Sequence, residues 1–224
     1  LSSAPLDREE SPVVRTLAEL AADTTAAPVS SPSPLAEAAE QSIRSSIEVN
    51  LYGVIAGCQL ALPDMVARRR GHIINIASLS GVIPVPGQVV YVGAKFGVVG
   101  LSAALADEMA PHGVHVSVVM PPFTNTELIS GTRETPGTKP VEPHEIAAAV
   151  VKTLDKPKTH VAVPPFLRFT AQAAQMLGPR GRRWMNKKLG LDSVFLEFDT
   201  TQRQSYEQRA QSALGVVEGA TGEK

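Results

Sequence analysis

The sequence contains a single cysteine, Cys58, within an apolar helical stretch. A single cysteine cannot form an intramolecular disulfide. It also cannot form a Cys-rich zinc site, because such a site needs several thiolates. The five histidines are scattered, without the spacing of metal ligands. We therefore predict no metal site, interpret Cys58 as a buried core residue, and expect a cytoplasmic protein, because that compartment keeps thiols reduced.

A charge imbalance and a long apolar run are also lacking. The 21 basic and 22 acidic residues leave a net charge of −1 over 224 residues, so nucleic acid is not expected as a partner. The sequence contains no uninterrupted stretch of about eighteen apolar residues, so a membrane-spanning helix is not predicted. No charged-then-apolar leader follows Leu1, and the hydrophobic content of 43% is typical of a soluble globular protein.

Glycine is absent before Gly53, and residues 1–34 contain five prolines and several serines. We predict an irregular segment over 1–34, in which only Val13–Ala22 has helical spacing. An α/β domain is predicted over residues 35–165. A helical extension is predicted over residues 166–224, with helical pieces at Phe166–Leu177, Trp184–Leu191 and Gln202–Leu214.

Helical and strand patterns alternate through the middle of the chain. Apolar runs rich in β-branched residues predict three strands, at His72–Ile76, Val114–Met120 and His160–Val163. Helices are predicted at 35–69, at Gln88–Met109 and from Pro143 onward, the second of them ending at Pro111–Gly113. This alternation indicates βαβ units and a parallel sheet of about three strands with flanking helices.

The most informative residues are a serine and a tyrosine–lysine pair. Ser78 follows the first predicted strand, and Tyr91 and Lys95 are four residues apart in the next helix, so they lie on one face. A tyrosine with a pKa of about 10 is a poor base near neutrality, but a nearby cation favours its phenolate. This arrangement can carry out proton transfer.

Four short motifs resemble the short-chain dehydrogenase/reductase family. They are Val49–Leu51, Asn75–Ser78, Tyr91–Lys95 and the Pro-x-x-x-x-Thr of Pro121–Thr126, and the resemblance is collinear from about Leu35 to Val163. It implies the C-terminal part of a Rossmann-like, doubly wound parallel sheet. It also implies an NAD- or NADP-dependent oxidoreductase, commonly a homo-oligomer, acting on a small alcohol or carbonyl compound.

The resemblance assigns a role to each matching residue. Tyr91 would be the general acid/base, and Lys95 would supply the cation and bind the nicotinamide ribose. Ser78 would hold the substrate oxygen, with Ser80 as the competing candidate. Asn50 would fix a helix distortion and a water leading to Lys95. Tyr91, Lys95, Pro121 and Thr126 would contact the cofactor, although Pro122 stands where the family usually has glycine.

The family's nucleotide-binding motif is missing from the sequence. No TGxxxGxG-like turn and no Asn-Asn-Ala-Gly strand end precede Asn50, and such glycines let the backbone approach the pyrophosphate. Three interpretations follow: an oxidoreductase whose sequence is N-terminally incomplete, a truncated inactive paralogue acting as a dimerisation module, or a small-molecule or lipid binding protein. The apolar residues Phe123, Leu128, Phe166, Leu167 and Phe169 favour a hydrophobic substrate.

The predicted extension has an uneven charge. Between Asp155 and Asp192 the sequence has eight basic residues and no acidic one, and five of the eight lie within Arg180–Lys188. A solvated or dimer-facing amphipathic helix is the first interpretation of this pattern. Peripheral contact with an anionic membrane surface is the second.

Overall fold

The computed structural model describes residues 34–126, 140–192 and 194–196. The helices in these ranges are α1 (Glu40–Ile47), α2 (Gly53–Ala67), α3 (Val89–Met109), α4 (Pro143–Asp155), α5 (Leu167–Met176) and α6 (Pro179–Leu189), and the strands are β1 (Gly71–Ile76), β2 (Val114–Met120) and β3 (His160–Ala162). A π turn, Glu48–Tyr52, joins α1 to α2. Short 3-10 turns lie at Leu35–Glu37, Leu79–Gly81 and Ala110–His112.

The three strands form one parallel sheet in the order β1-β2-β3. β1 pairs with β2 from Gly71 opposite Val114 to Ile76 opposite Val119, and β2 pairs with β3 only over its last three residues. Helix α3 connects the first two strands, and α4 connects the second to the third. The parallel sheet predicted from the sequence is therefore confirmed.

The sheet buries apolar side chains on both faces, because successive residues of a strand point to opposite sides. On one face α2 and α3 pack on the core formed by Cys58, Ile73, Leu105, Met109, Val114 and Val116. On the other face α4 packs through Ile146 against Val119 and Val163. Helices on both faces of a parallel sheet make the fold Rossmann-like and doubly wound.

Two elements differ from the sequence predictions. The helix predicted over 35–69 is interrupted by the π turn, and α2 continues through Pro63 to Ala67. Helix α6 begins at Pro179 rather than near Trp184, because proline is well suited to the first turn of a helix. The predictions for residues 1–33, including Val13–Ala22, and for Gln202–Leu214 lie outside the described residues.

Two helical stretches, Glu40–Ala67 and Val89–His112, are long and apolar enough to cross a membrane by length and composition alone. Helices that cover a sheet in a soluble protein meet the same criterion. The second stretch includes α3, whose Val98 is fully buried with Val118 of the sheet. We therefore interpret α3 as a core helix of the α/β layers.

Candidate active site

Ser78 follows the end of β1 and lies at the carboxyl ends of the parallel strands. Its backbone is extended, and its Oγ accepts a hydrogen bond from the Ser80 amide at 3.1 Å, which caps the turn Leu79–Gly81. The Leu79 amide donates to the Pro121 carbonyl at 2.8 Å, which joins this turn to the end of β2. In parallel α/β sheets, ligands bind at the carboxyl ends of the strands.

The serine turn lies directly against α3. A Cβ at Gly81 would come within 2.7 Å of the Lys95 carbonyl oxygen and 2.9 Å of Val99 Cγ2, so any larger residue would force the two apart. Glycine at this position lets the turn after Ser78 approach the helical turn that contains Lys95. The structure therefore brings Ser78 and Lys95 into neighbouring backbone segments.

Lys95 and Tyr91 are in contact on α3. The Lys95 Nζ lies 5.5 Å from the centroid of the Tyr91 ring and donates a hydrogen bond to the Ile76 carbonyl at 3.3 Å. Burial lowers the pKa of Lys95 from 10.5 to about 8, because desolvation disfavours the charged ammonium. Near neutrality the group still holds its proton, so a cation lies beside the phenol ring.

Asn50 is buried in the middle of the π turn that separates α1 from α2. Its Nδ2 donates to the Ser46 carbonyl at 3.1 Å. The adjacent Leu51 approaches α3 at Gly97, where a Cβ would lie 3.0 Å from Leu51 Cδ1. A helix distortion is thus present at Asn50, and the adjacent Leu51 packs at Gly97, two residues along α3 from Lys95. The water-binding role of Asn50 stays a prediction.

Pro121 and Thr126 lie on the loop that follows β2. Pro121 is buried, whereas the Thr126 amide and hydroxyl both donate to the Thr124 carbonyl, at 2.8 and 3.5 Å. The Asn125 amide donates to the Val141 carbonyl at 2.9 Å, so the loop is held to the residues just before α4. In the described region Thr126 is fixed by its own loop, and its contact with a cofactor stays a prediction.

A buried polar network, which was not predicted from the sequence, connects the two elements that carry the site residues. Asn75 of β1 donates through Nδ2 to Ser102 Oγ at 2.9 Å and accepts from the Cys58 thiol at 3.6 Å. Ser102 in turn donates to the Val98 carbonyl at 2.7 Å. This network ties β1, which ends at Ser78, to α3, which carries Tyr91 and Lys95. Asn75 is the first residue of the Asn-Ile-Ala-Ser motif, but its hydrogen-bond partner, Ser102, is 27 residues away in the sequence.

An apolar wall lies near the carboxyl ends of the strands. Val194 and Phe195 are buried with Val85, and Val92 and Phe123 pack against them. The ring centroids of Phe123 and Phe195 are 5.6 Å apart. Of the apolar residues from which a hydrophobic substrate is predicted, Phe123 joins this wall, Phe166 and Phe169 are exposed, and Leu128 lies outside the described residues.

The described residues fit one end of a dinucleotide better than the other. A half-buried lysine beside a tyrosine, near the carboxyl end of β1, suits a ribose hydroxyl and a reacting carbonyl. A pyrophosphate needs a glycine-rich turn at a helix N-terminus, and the described part of the chain contains none. Among the described residues there are thus groups that fit the nicotinamide ribose of a dinucleotide, but no cradle for its phosphates.

Comparison with known proteins connects this geometry to a family. The model of the short chain dehydrogenase family matches residues 13–137. Carbonyl reductase family member 4 of Xenopus tropicalis is 38% identical over 123 residues, which cover 52% of each chain. An uncharacterised oxidoreductase of Staphylococcus aureus is 37% identical over 119 residues, 53% of this chain and 51% of its own. The chain spans about half the length of the curated relatives it matches.

Solved structures agree on the fold. A short chain dehydrogenase from Burkholderia cenocepacia, determined in complex with NADP, superposes with a TM-score of 0.59 at 22% identity. The superposition covers 79% of this chain and 76% of the other. Because the family model matches more than half of the sequence, the chain belongs to the short-chain dehydrogenase family.

Proposed function

We propose that the chain provides the proton-transfer part of an NAD(P)-dependent oxidoreductase that interconverts an alcohol and a ketone or aldehyde. The observation that carries this proposal is the contact of Lys95 with Tyr91 on α3, held against the serine turn by Gly81. Family membership and the similarity to a carbonyl reductase support it. The nicotinamide group, when bound, supplies or accepts the hydride.

Tyr91 is assigned the proton transfer to and from the substrate oxygen. A general acid/base of this kind contributes roughly 10²–10⁴-fold to the rate. Lys95 favours the phenolate through its positive charge at 5.5 Å from the ring centroid. Ser78 donates its hydroxyl proton to the substrate oxygen and so holds the carbonyl in line with Tyr91. Its Oγ already accepts from the Ser80 amide, which leaves the hydroxyl proton free to turn toward the substrate.

The substrate class follows from the surroundings of these groups. The apolar wall of Val85, Phe123, Val194 and Phe195 offers no charged partner for a substrate. A hydrophobic ketone or aldehyde fits the half-buried members of this wall, Val92 and Phe123, since apolar surface is removed from water when it binds. A reaction of this class would take place in the cytoplasm, where NAD(P) is present.

The test uses a fusion that supplies a nucleotide-binding half. The part of the Xenopus tropicalis carbonyl reductase that precedes its matched stretch is joined to this chain, and NADPH-dependent reduction of an apolar ketone is followed. We expect Tyr91→Phe to lower kcat at least 100-fold, with NADPH binding and circular dichroism unchanged. The matched control is Tyr52→Phe, because Tyr52 is exposed on the π turn and should leave turnover unaltered.

The unfused chain gives a second measurement. It lacks a glycine-rich cradle, so titration with NADH or NADPH, followed by nucleotide fluorescence, should show no micromolar binding. Clear saturation in that range would show that other residues hold the phosphates. Unchanged turnover of the fused Tyr91→Phe variant would remove Tyr91 from its assigned role.

A second candidate function, a dimerisation module, is favoured by exposed apolar residues on α2 and on α3, the helix that carries Tyr91 and Lys95. Ile55 and Leu60 of α2 and Val89 and Phe96 of α3 are exposed, and long apolar helical faces of this kind commonly mark interfaces. Sedimentation equilibrium of the chain should then show a dimer, and Leu60→Glu should shift it to monomer. A monomer at every concentration would contradict this candidate and the homo-oligomer prediction together.

A further inference from the structure

The last described helix, α6, has one side fixed to the protein. Asn186 is buried, and its Nδ2 donates to the Pro84 carbonyl at 3.1 Å. Arg182, Met185 and Leu189 are half-buried on the same side of the helix, and Leu191 is buried just after its end. These contacts set which side of α6 faces away from the domain.

The opposite side of α6 combines four cations with one indole. Arg180, Arg183, Trp184, Lys187 and Lys188 are all exposed, and their spacing of three, four, seven and eight residues places them on one helical face. Trp184 is 65% exposed. A large aromatic side chain in this position buries little area within the protein, so its packing does not explain its presence.

Within the described residues, no acidic side chain pairs with the cations of this face. The sequence has no acidic residue between Asp155 and Asp192. Since the whole chain carries a net charge of −1, these cations are segregated from the acidic residues. A face of this charge complements an anionic surface.

Helix α5 adds an apolar stripe directly before α6 in the chain. Phe169 and Met176, two turns apart on α5, are 73% and 88% exposed, and Phe166 just before the helix is also exposed. Ala171 and Ala174, on the other side of α5, are buried against the domain. The outward side chains are therefore among the largest apolar groups that the described region leaves in water.

We propose that α5 and α6 form a docking surface for an anionic lipid bilayer, on which the protein binds peripherally. Lysine and arginine bind the anionic headgroups, tryptophan favours the interfacial level, and phenylalanine and methionine enter the acyl boundary. Nucleic acid would satisfy the cations but would leave Phe169 and Met176 exposed to water. This docking is independent of the proposed reaction.

Trp184 is the only tryptophan of the sequence, so its fluorescence reports on this face alone. The purified chain is mixed with vesicles of phosphatidylcholine, or of equimolar phosphatidylcholine and phosphatidylglycerol, and binding is followed by emission wavelength and co-sedimentation. We expect water-exposed emission in buffer, a blue shift only with the anionic vesicles, and loss of binding as salt is raised.

Two matched double variants separate this face from general charge. Lys187→Gln with Lys188→Gln removes two cations of the docking face and should weaken binding roughly 30-fold. Lys156→Gln with Lys158→Gln removes two exposed cations from the loop between α4 and β3 and should leave binding unchanged. Phe169→Ser with Met176→Ser should weaken binding to the anionic vesicles at low salt.

Four results would overturn the proposal. They are an absence of co-sedimentation with anionic vesicles, equal weakening by the two lysine pairs, buried emission of Trp184 in buffer, and tighter binding to duplex DNA than to vesicles. Buried emission would show that another part of the chain or a second copy already covers the face. Tighter binding to DNA would identify the cations as a nucleic-acid contact.

Discussion

The two edges of the sheet are built differently. β3 has three residues, and α5 contacts it and buries Ala171 against the carboxyl ends of the strands. β1 has six residues, and in the described part of the chain no strand pairs with its outer edge. Ile76 at its end is 36% exposed. A short, covered strand terminates a sheet, whereas a long strand with free backbone groups accepts a further strand.

The candidate active site lies at the open edge. The Ala77 amide donates to Val119 of β2, and successive residues of a parallel strand bond to alternate sides. The Ile76 carbonyl, which accepts from Lys95, therefore points to the outer side. The proton-transfer groups thus lie beside the place where a doubly wound sheet would continue. Whatever pairs with β1 also borders the site.

The carboxyl ends of the strands, which α5 covers, should be more sensitive to mutation than the open edge of β1. Ala171 is buried with Ala77, Val118 and Met120, so Ala171→Glu forces a carboxylate into an apolar core and should destabilise the protein by about 3 kcal/mol or more. Ala173→Glu changes an exposed residue of the same helix and should stay within about 0.5 kcal/mol. Urea unfolding measures both, and similar midpoints would show that α5 does not cover the sheet.

The inner side of β1 should respond to the loss of a single hydroxyl. Ser102→Ala leaves the buried Asn75 Nδ2 without its acceptor and should cost about 1–3 kcal/mol. Thr170→Ala removes an exposed hydroxyl that donates to the Leu167 carbonyl and should cost less than about 0.5 kcal/mol. The comparison is again by urea unfolding. Equal effects would mean that water reaches Asn75 and replaces Ser102.

The features predicted from sequence were those with a local cause. β-branched runs predicted the three strands to within about one residue, and Pro111–Gly113 ended the long helix as expected. The Tyr91–Lys95 contact follows from the helical repeat alone. The position of Ser78 at a strand end needed only the pattern of its neighbours.

The features that were missed depend on residues far apart in the chain. Asn75 and Ser102 are 27 residues apart, and Asn186 and Pro84 are 102 apart. No periodic pattern contains such a pair. The packing of Phe195 against Phe123 is of the same kind. The π turn at Asn50 adds residues to a helical turn. Apolar spacing does not show it, and the helix distortion expected at Asn50 came from the family resemblance alone.

The smallest expected effect concerns Lys95, beside the open edge, and it is a dependence of stability on pH. Burial lowers the pKa of Lys95 to about 8 from the value of 10.5 that an exposed lysine has. Between these values the unfolded chain binds a proton that the folded chain does not, so the Lys95 contribution to stability rises with pH from about 8 to about 10.5. Because the side chain is half-buried, water screens part of the effect.

Lys95→Met is the comparison that tests this contribution, since it removes the ammonium and keeps an apolar stem. Burial also raises the pKa of the Cys58 thiol, which makes the folded protein less stable as pH rises above 9, and this term is common to both proteins. The difference in the free energy of unfolding, wild type minus variant, should therefore increase between pH 8 and 10. A constant difference would mean that Lys95 is as well hydrated in the folded chain as in the unfolded one, as an edge fully open to water would allow.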